Sequence, residues 1–340
     1  MQWLFAALFV FCASAHASNV LQDTKKTVYI YSEMSVSDIF AINDPNFNRD
    51  NSLEPLYQLR EKAAQEGFDI KQVHTLEALS DFEYLIVFNV PADKMGYLHK
   101  YPKEKLLLFL WEPPSVMPEN YRTDYHEQFS KVYTWNDSLV DNQKYWKLFH
   151  PVLIPMIQES ISFEKKKLCT LIACNKWSAH PNELYSERSR VIQFYESQHS
   201  DEFDLYGKWW PNNCKVYKGQ IARKVDFLKL YKFAYAYENI KGVPGYVTEK
   251  IFDCFHAGCV PVYYGASNIA LSIPKECFID RTDFKSDEEL YNYLKSMNEV
   301  DYQRYIQNIQ KFLTSEEAQS YSIETFVKTV IDQILLSQNF

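Results

Sequence analysis

Tyr231–Phe284 reads YKFAYAYENIKGVPGYVTEKIFDCFHAGCVPVYYGASNIALSIPKECFIDRTDF, and this pattern decides the fold. The apolar and aromatic run Lys232 to Tyr237 has the character of a buried strand. Glu238 and Asn239 follow at its carboxyl end, then a loop with Gly242, Pro244 and Gly245. Thr248 is an N-cap residue type, and Ile251, Phe252 and Phe255 behind it share one helical face. Gly258 suits the left-handed position that ends a helix, and Val260–Tyr264 forms a second apolar run. Strand, loop, helix and strand in this order build a parallel α/β sheet.

In open sheets of this kind, ligands sit outside the carboxyl ends of the strands. The loop and the first helical turn are therefore where chemistry is expected. A helix N-terminus presents unpaired N–H groups and the positive end of a dipole, which suits phosphate. Lys250 adds a full positive charge there. Glu249 would repel phosphate and is better suited to accept hydrogen bonds from sugar hydroxyls. Phosphate together with hydroxyls describes a nucleotide sugar. An isolated Thr-Glu-Lys fits equally well a favourable first-turn carboxylate beside a solvated lysine. The surrounding stretch decides between the two.

That stretch closely resembles the signature of glycosyltransferase family 10, the α-1,3/1,4-fucosyltransferases. The matching parts are Tyr231-Lys232-Phe233, Tyr237-Glu238-Asn239 and Tyr246-Val247-Thr248-Glu249-Lys250. They continue through Ala257 to Pro261, Tyr264-Gly265, Phe278-Ile279 and Asp283-Phe284. The resemblance implies an α/β GT-B architecture of two Rossmann-like domains facing a cleft, with GDP-fucose as donor. It is strong from about Leu168 to Phe284 and thinner from Ser18 to Ile157, so it speaks more for the donor than for the acceptor.

Composition sets bounds on the function. The 340 residues suffice for two domains, and 46% apolar content supports real cores. A net charge of −8 argues against nucleic-acid binding, which needs a basic face. Trp3 to Ala17 is apolar apart from Cys12, Ser14 and His16, and Ala15-His16-Ala17 offers a small-x-small cleavage site before Ser18. Residues 1–17 are expected to be a signal peptide or an uncleaved anchor giving membrane association. The run is short for a span, which needs ~20 residues. With a cytosolic donor, an exported enzyme needs a Golgi-type lumen; in a bacterium the expectation is a cytoplasmic or periplasmic face. Past Cys12 the cysteines are Cys169, Cys174, Cys214, Cys254, Cys259 and Cys277, none in a C-x-x-C pair, so buried free thiols are expected.

Strands are expected at Thr27–Tyr31, Asp69–His74, Tyr84–Asn89, Leu106–Trp111 and Val132–Trp135, with a helix at Glu54–Ala64. This alternation outlines a first, acceptor-side domain over residues 18–157. No G-x-G-x-x-G follows the first strand, so no dinucleotide cofactor is expected there. Gln158–Lys167 reads as a solvated linker ending in a lysine run. A donor-binding domain over 158–340 then starts with a strand at Leu168–Ala173. A helix at Asn182–Gln198, a strand at Phe203–Tyr206 and a helix at Lys224–Leu230 follow. Helices at Asp287–Met297, Asp301–Phe312 and Ile323–Leu336 complete the chain.

Moving a sugar in one inverting displacement calls for a carboxylate base and cations for the leaving diphosphate. Glu112, in Leu110-Trp111-Glu112-Pro113-Pro114, stands at the end of a buried strand and matches the place of the family's proposed base. The plain alternative is a strand-end carboxylate paired with a cation. Arg188 matches the family's donor-binding arginine, on the helix after Ala173-Cys174-Asn175, with Arg190 as rival and Lys224 as a further cation. An i,i+4 helical ion pair would suit either arginine. Asn175, Glu238 and Asn239 are placed to hold hydroxyls or the guanine edge, and Tyr246 to contact the donor. Asn136-Asp137-Ser138 is a glycosylation sequon. His180 and His256 lack metal-ligand spacing and no D-x-D stands near a strand end, so no metal cofactor is expected. The expected activity is transfer of fucose from GDP-β-L-fucose to O3 or O4 of N-acetylglucosamine in an oligosaccharide or glycoconjugate. The rivals are transfer of another nucleotide sugar and a catalytically silent glycan-binding protein.

Overall fold

The computed structural model describes residues 25–33, 37–156 and 161–336. The expected leader and Cys12 lie outside the described residues, as does part of the expected linker. Within them, no helix is long and apolar enough to cross a membrane.

Two parallel sheets stand one after the other in the chain. The first contains β1 (Lys26–Ser32), β2 (Phe68–Val73), β3 (Tyr84–Phe88), β4 (Leu106–Leu110), β5 (Lys131–Thr134) and β6 (Tyr145–Lys147), in the order β2-β1-β3-β4-β5-β6. The second contains β7 (Lys167–Ile172), β8 (Phe203–Tyr206), β9 (Tyr231–Tyr237), β10 (Val260–Tyr264) and β11 (Ile279–Asp280), in the order β11-β10-β9-β7-β8. β3 and β4 are buried at every position, as continuous apolar strands covered on both faces must be. β6 was not expected: Tyr145-Trp146-Lys147 is too short to show alternation, and only its pairing with β5 makes it a strand.

The main helices are α1 (Glu54–Gln65), α2 (Tyr185–Gln198), α3 (Lys224–Leu228), α4 (Glu249–His256), α5 (Asp287–Ser296), α6 (Glu299–Leu313) and α7 (Ile323–Val330). α2 starts later than expected because the Glu183 carboxylate accepts from the amides of Tyr185 and Ser186 at 2.5 and 3.0 Å and so caps it. α7 gives way at Ile331 to a π-helical turn through Leu335.

The expected division near residue 157 does not hold for the end of the chain. Ile323, Phe326, Val327 and Val330 of α7 join Val28, Ile30, Leu56 and Leu59 in one core. α7 thus crosses back onto the first sheet. The lysine run is not all solvated either. Lys166 is buried, and its ammonium donates to the carbonyls of Lys229, Tyr231 and Gly258 at 2.9, 3.3 and 3.0 Å.

Strand order places the ligand site. In the second sheet β7 has β8 on one side and β9 on the other, so the chain reverses its winding between β7 and β9. The crevice outside that switch point is where open α/β sheets bind ligands. The two halves meet over it. Gly245, at φ +83°, lies so close to the first half that a Cβ would stand 2.3 Å from the Trp135 carbonyl oxygen. Asn268 donates to Asp137 at 2.8 Å, and Ser178 donates to the Ser115 carbonyl at 2.7 Å.

Candidate active site

A pocket opens at the switch point. Its lining includes Ala173 and Cys174 after β7, Gly207 and Lys208 after β8, and Tyr237 and Asn239 at the end of β9. Arg188, Lys176, Lys224 and Lys250 contribute cations to the same pocket.

Glu238 organises the first turn of α4. Its fully buried carboxylate accepts from the Thr248 amide and hydroxyl, both at 2.8 Å, and from the Lys250 ammonium at 2.9 Å. Thr248 occupies the N-cap position, but its side chain does not cap the helix, contrary to expectation. Its hydroxyl is turned to Glu238 instead and also accepts from Lys250 at 2.9 Å. Glu238, expected to face a ligand, has no exposed surface, and its charge fixes Lys250 in place.

Glu249 and Lys224 form a second charged group. The Lys224 ammonium lies 2.7 Å from Asp253 and 3.3 Å from Glu249, and Glu249 lies 4.0 Å from Lys250. The Glu249 side chain is 49% exposed, but the solvent it meets is that of the cleft. Burial opposes its charge, yet Lys250 and Lys224 outweigh burial and hold the carboxyl well below the usual range. Burial also opposes the charge of Lys224, and Asp253 and Glu249 overcome it, raising that ammonium's pKa. Asp253 is pushed up to about 6 by burial and by the Glu249 charge.

Arg188 is buried under the end of β9. Its Nη2 donates to the carbonyls of Tyr237 and Glu238, each at 2.7 Å, and to Asn239 Oδ1 at 3.1 Å. Its Nε is buried without a partner, and burial lowers its pKa. Arg188 therefore shapes the β9 end and lines the pocket at once. Its rival Arg190 points away, paired with Glu187 at 2.5 Å and Asp287 at 3.1 Å. Two other sequence candidates are not among the residues that line this pocket. Tyr246 is 2% exposed and packs 4.5 Å from Trp135, in a small core between the halves. Asn175 is exposed and donates to the Trp209 carbonyl at 3.3 Å.

Glu112 follows β4 in the opposite half. Burial raises its pKa above the ordinary value, against the lowering pull of Lys250 and Lys176. Its backbone is fixed by residues that sequence reading missed. Asn89, at φ +62°, accepts through Oδ1 from the amides of Trp111 and Glu112, each at 2.9 Å. Asn120 donates to Asn89 at 2.8 Å and to the Glu112 carbonyl at 2.9 Å. His126, fully buried, bridges the Asn120 carbonyl and the Tyr145 hydroxyl at 3.0 and 3.1 Å. An asparagine closing β3 was the available signal, because asparagine tolerates the left-handed conformation and can bond its surroundings from there.

The remaining sequence features are structural. Asn136 is buried and its Oδ1 accepts from the Ser138 amide at 3.0 Å, so the sequon is a turn. His180 accepts from the Asn182 amide at 3.2 Å, and His256 bonds the Pro155 carbonyl. Cys169, Cys254, Cys259 and Cys277 are buried thiols, with Cys174 and Cys214 less so. Among the described residues, no group of three or more His, Cys, Asp or Glu is arranged to hold a metal.

Comparison with known proteins agrees with this geometry. The chain is 29% identical over 149 residues to the alpha-(1,3)-fucosyltransferase FucT of Helicobacter pylori, covering 44% of this chain and 28% of that protein. It is 43% identical over 77 residues to an alpha-(1,4)-fucosyltransferase of Arabidopsis thaliana, covering 22% of this chain and 19% of the relative. These matches therefore span less than a third of either relative. The fold is that of a crystal structure of an alpha1,3-fucosyltransferase, at TM-score 0.54, 16% identity and 92% coverage of each chain. The architecture is thus GT-B, two Rossmann-like halves facing a cleft. Residues 162–330 match the C-terminal part of glycosyltransferase family 10 (fucosyltransferase), and the chain belongs to that family.

Proposed function

We propose that the protein is an inverting fucosyltransferase that moves L-fucose from GDP-β-L-fucose to a hydroxyl of N-acetylglucosamine in a glycan. The observation that carries this reading is the set of Arg188, Lys224 and Lys250 around one pocket at the β7/β9 switch point, opposite Glu112. In this reading Lys250 and Arg188 neutralise the leaving diphosphate with charge-assisted hydrogen bonds, and Lys224 adds charge beside them. Glu249 accepts from sugar hydroxyls. Asn239, Tyr246 and Glu238 hold the walls, and Asn175 stands at the rim. Glu112 takes the proton from the acceptor hydroxyl as that oxygen attacks the anomeric carbon, and GDP departs from the opposite face. One displacement turns the β-linked donor into an α-linked product.

The raised pKa of Glu112 supports this role, because burial that moves a carboxylate's pKa up from its ordinary value increases its affinity for the proton it must take. The relatives divide between 1,3 and 1,4 fucosyltransferases, and O3 is our reading, with O4 as the second. The site for GDP-fucose falls in the 158–340 half and that for the acceptor in the 18–157 half.

Radiolabelled GDP-fucose is the test. Label passing to an N-acetylglucosamine-terminated glycan supports the reading. Release of label from other nucleotide sugars only, or binding without turnover, replaces it with one of the two rivals. We place the enzyme in a Golgi-type secretory lumen, directed there by its N-terminal segment as a signal peptide or signal anchor. Fractionation of a tagged full-length chain tests this, and recovery of uncleaved protein in the cytosol would refute it.

A further inference from the structure

A second cavity of about 350 Å³ adjoins the nucleotide pocket, within the range of small-molecule sites. Arg49, Lys224, Glu249 and Asp253 line both spaces, so the two are continuous. Trp111, His150 and Phe252 supply its aromatic walls.

His150 is the notable side chain. It is 9% exposed and packs edge-on against Trp111 at 4.6 Å and Tyr246 at 6.1 Å. It hydrogen-bonds the Trp111 backbone, while its Nε2 is buried with no partner. Buried polar atoms are nearly always paired, so an unpaired one calls for an explanation. Burial pushes the imidazole pKa down to about 4, so the ring is neutral at pH 7. A neutral ring that donates from Nδ1 to a carbonyl keeps a bare lone pair on Nε2. That lone pair needs an O–H or N–H donor. A diphosphate oxygen has no proton to give, and Glu249 and Asp253 on the same wall would repel it. A sugar ring offers hydroxyls to all three acceptors, and an apolar face to Trp111.

Arg49 stands between this cavity and the nucleotide pocket. Among the described residues lining the nucleotide pocket, it alone comes from the first half. Asp50 and Asn51 beside it are both left-handed, at φ +56° and +61°, a conformation that Asp and Asn tolerate better than other residues with a Cβ. The turn is held by Asp50, whose Oδ1 accepts from the Lys224 amide at 2.6 Å and whose Oδ2 lies 3.2 Å from Arg49 Nε.

We propose that the cavity between Trp111, His150 and Arg49 is the subsite for the transferred sugar ring. In it, His150 Nε2 accepts from a ring hydroxyl and Arg49 reaches from the sugar to the diphosphate. This rests on the nucleotide-sugar reading above.

Calorimetry with GDP and with GDP-fucose tests it on wild type, His150→Phe, His150→Gln and Arg49→Gln, with melting temperature as the folding control. His150→Phe is expected to leave GDP affinity unchanged and to weaken GDP-fucose about threefold to tenfold, the loss of one neutral hydrogen bond. His150→Gln keeps an acceptor and should recover most of that loss. Arg49→Gln changes a side chain that is 39% exposed, so folding should survive. It should weaken both ligands, GDP-fucose more. Equal effects on the two ligands in every variant, or none, would overturn the proposal. So would a raised acceptor KM with unchanged GDP-fucose affinity, which would make the cavity an acceptor site. Wild-type protein that binds neither ligand would refute the nucleotide-sugar reading itself.

Discussion

Replacing Glu112 by glutamine separates catalysis from architecture, because the groups that fix this residue do not touch its carboxylate. Asn89 holds its amide and Asn120 holds its carbonyl. The Glu112→Gln backbone therefore has every bond it had before. A general base contributes ~10²–10⁴-fold, which is about 2.7–5.4 kcal/mol of barrier, so single-turnover fucose transfer should slow by that factor. GDP affinity should not change, since Glu112 is not among the residues that line the nucleotide pocket. Stability gives a second readout. Burial raises the folded-state pKa of Glu112, so the fold favours its protonated form. That contribution is complete below the ordinary carboxylate pKa and is lost as pH rises through the raised value. Above that raised value the wild type buries a charge where the variant buries a neutral amide, so there the variant should melt no lower. In the wild type, transfer should fall as pH drops through the same raised pKa. The variant should lack that limb. A stable variant that transfers at the wild-type rate refutes the argument. Glu119 would then be the next carboxylate to test, because Asp124 is exposed and paired with Arg122 at 2.6 Å.

Arg188→Ala should weaken GDP by about 1.5–3 kcal/mol for each lost charged hydrogen bond and also lower the melting temperature, because the same guanidinium holds the end of β9. Arg190→Ala should leave GDP affinity unchanged, and calorimetry showing the reverse pattern would exchange their roles. Glu238→Ala should destabilise the protein by about 3–5 kcal/mol in denaturant titration, since it leaves Lys250 without its buried partner. If stability holds, the Thr248–Lys250 cluster is not what shapes the turn. Transfer should survive EDTA; complete loss that manganese restores would assign the leaving-group charge to a metal instead of to Arg188, Lys224 and Lys250.

The second half was legible because its strands are continuous apolar runs and its loops carry long motifs. β8 and β10 lie where the pattern put them, and Arg188, Lys224, Glu249 and Lys250 do line one pocket. Periodicity says which face of a helix is buried, but not which polar atom a buried side chain will find. Glu238 was therefore expected to meet a ligand and instead meets Thr248 and Lys250. Tyr246 was assigned to the donor and packs on Trp135, a residue 111 positions away, through a contact that only the meeting of the halves creates. His150 and Arg49 carry no local motif. They matter because the left-handed turn at Asp50 and the Trp111 ring lie against the other half.

The return of α7 to the first sheet has a consequence for biosynthesis. The core around Val28 and Ile30 is completed by Phe326 and Val330, which leave the ribosome about 300 residues later. At ~5–20 residues per second that delay is about 15–60 s. The cores of the second sheet use residues only from Phe149 to Tyr321 and can close first. Folding thus finishes at the N-terminal half. Until it does, α1 covers only part of an apolar sheet face, and that face is where a chaperone would engage the nascent chain.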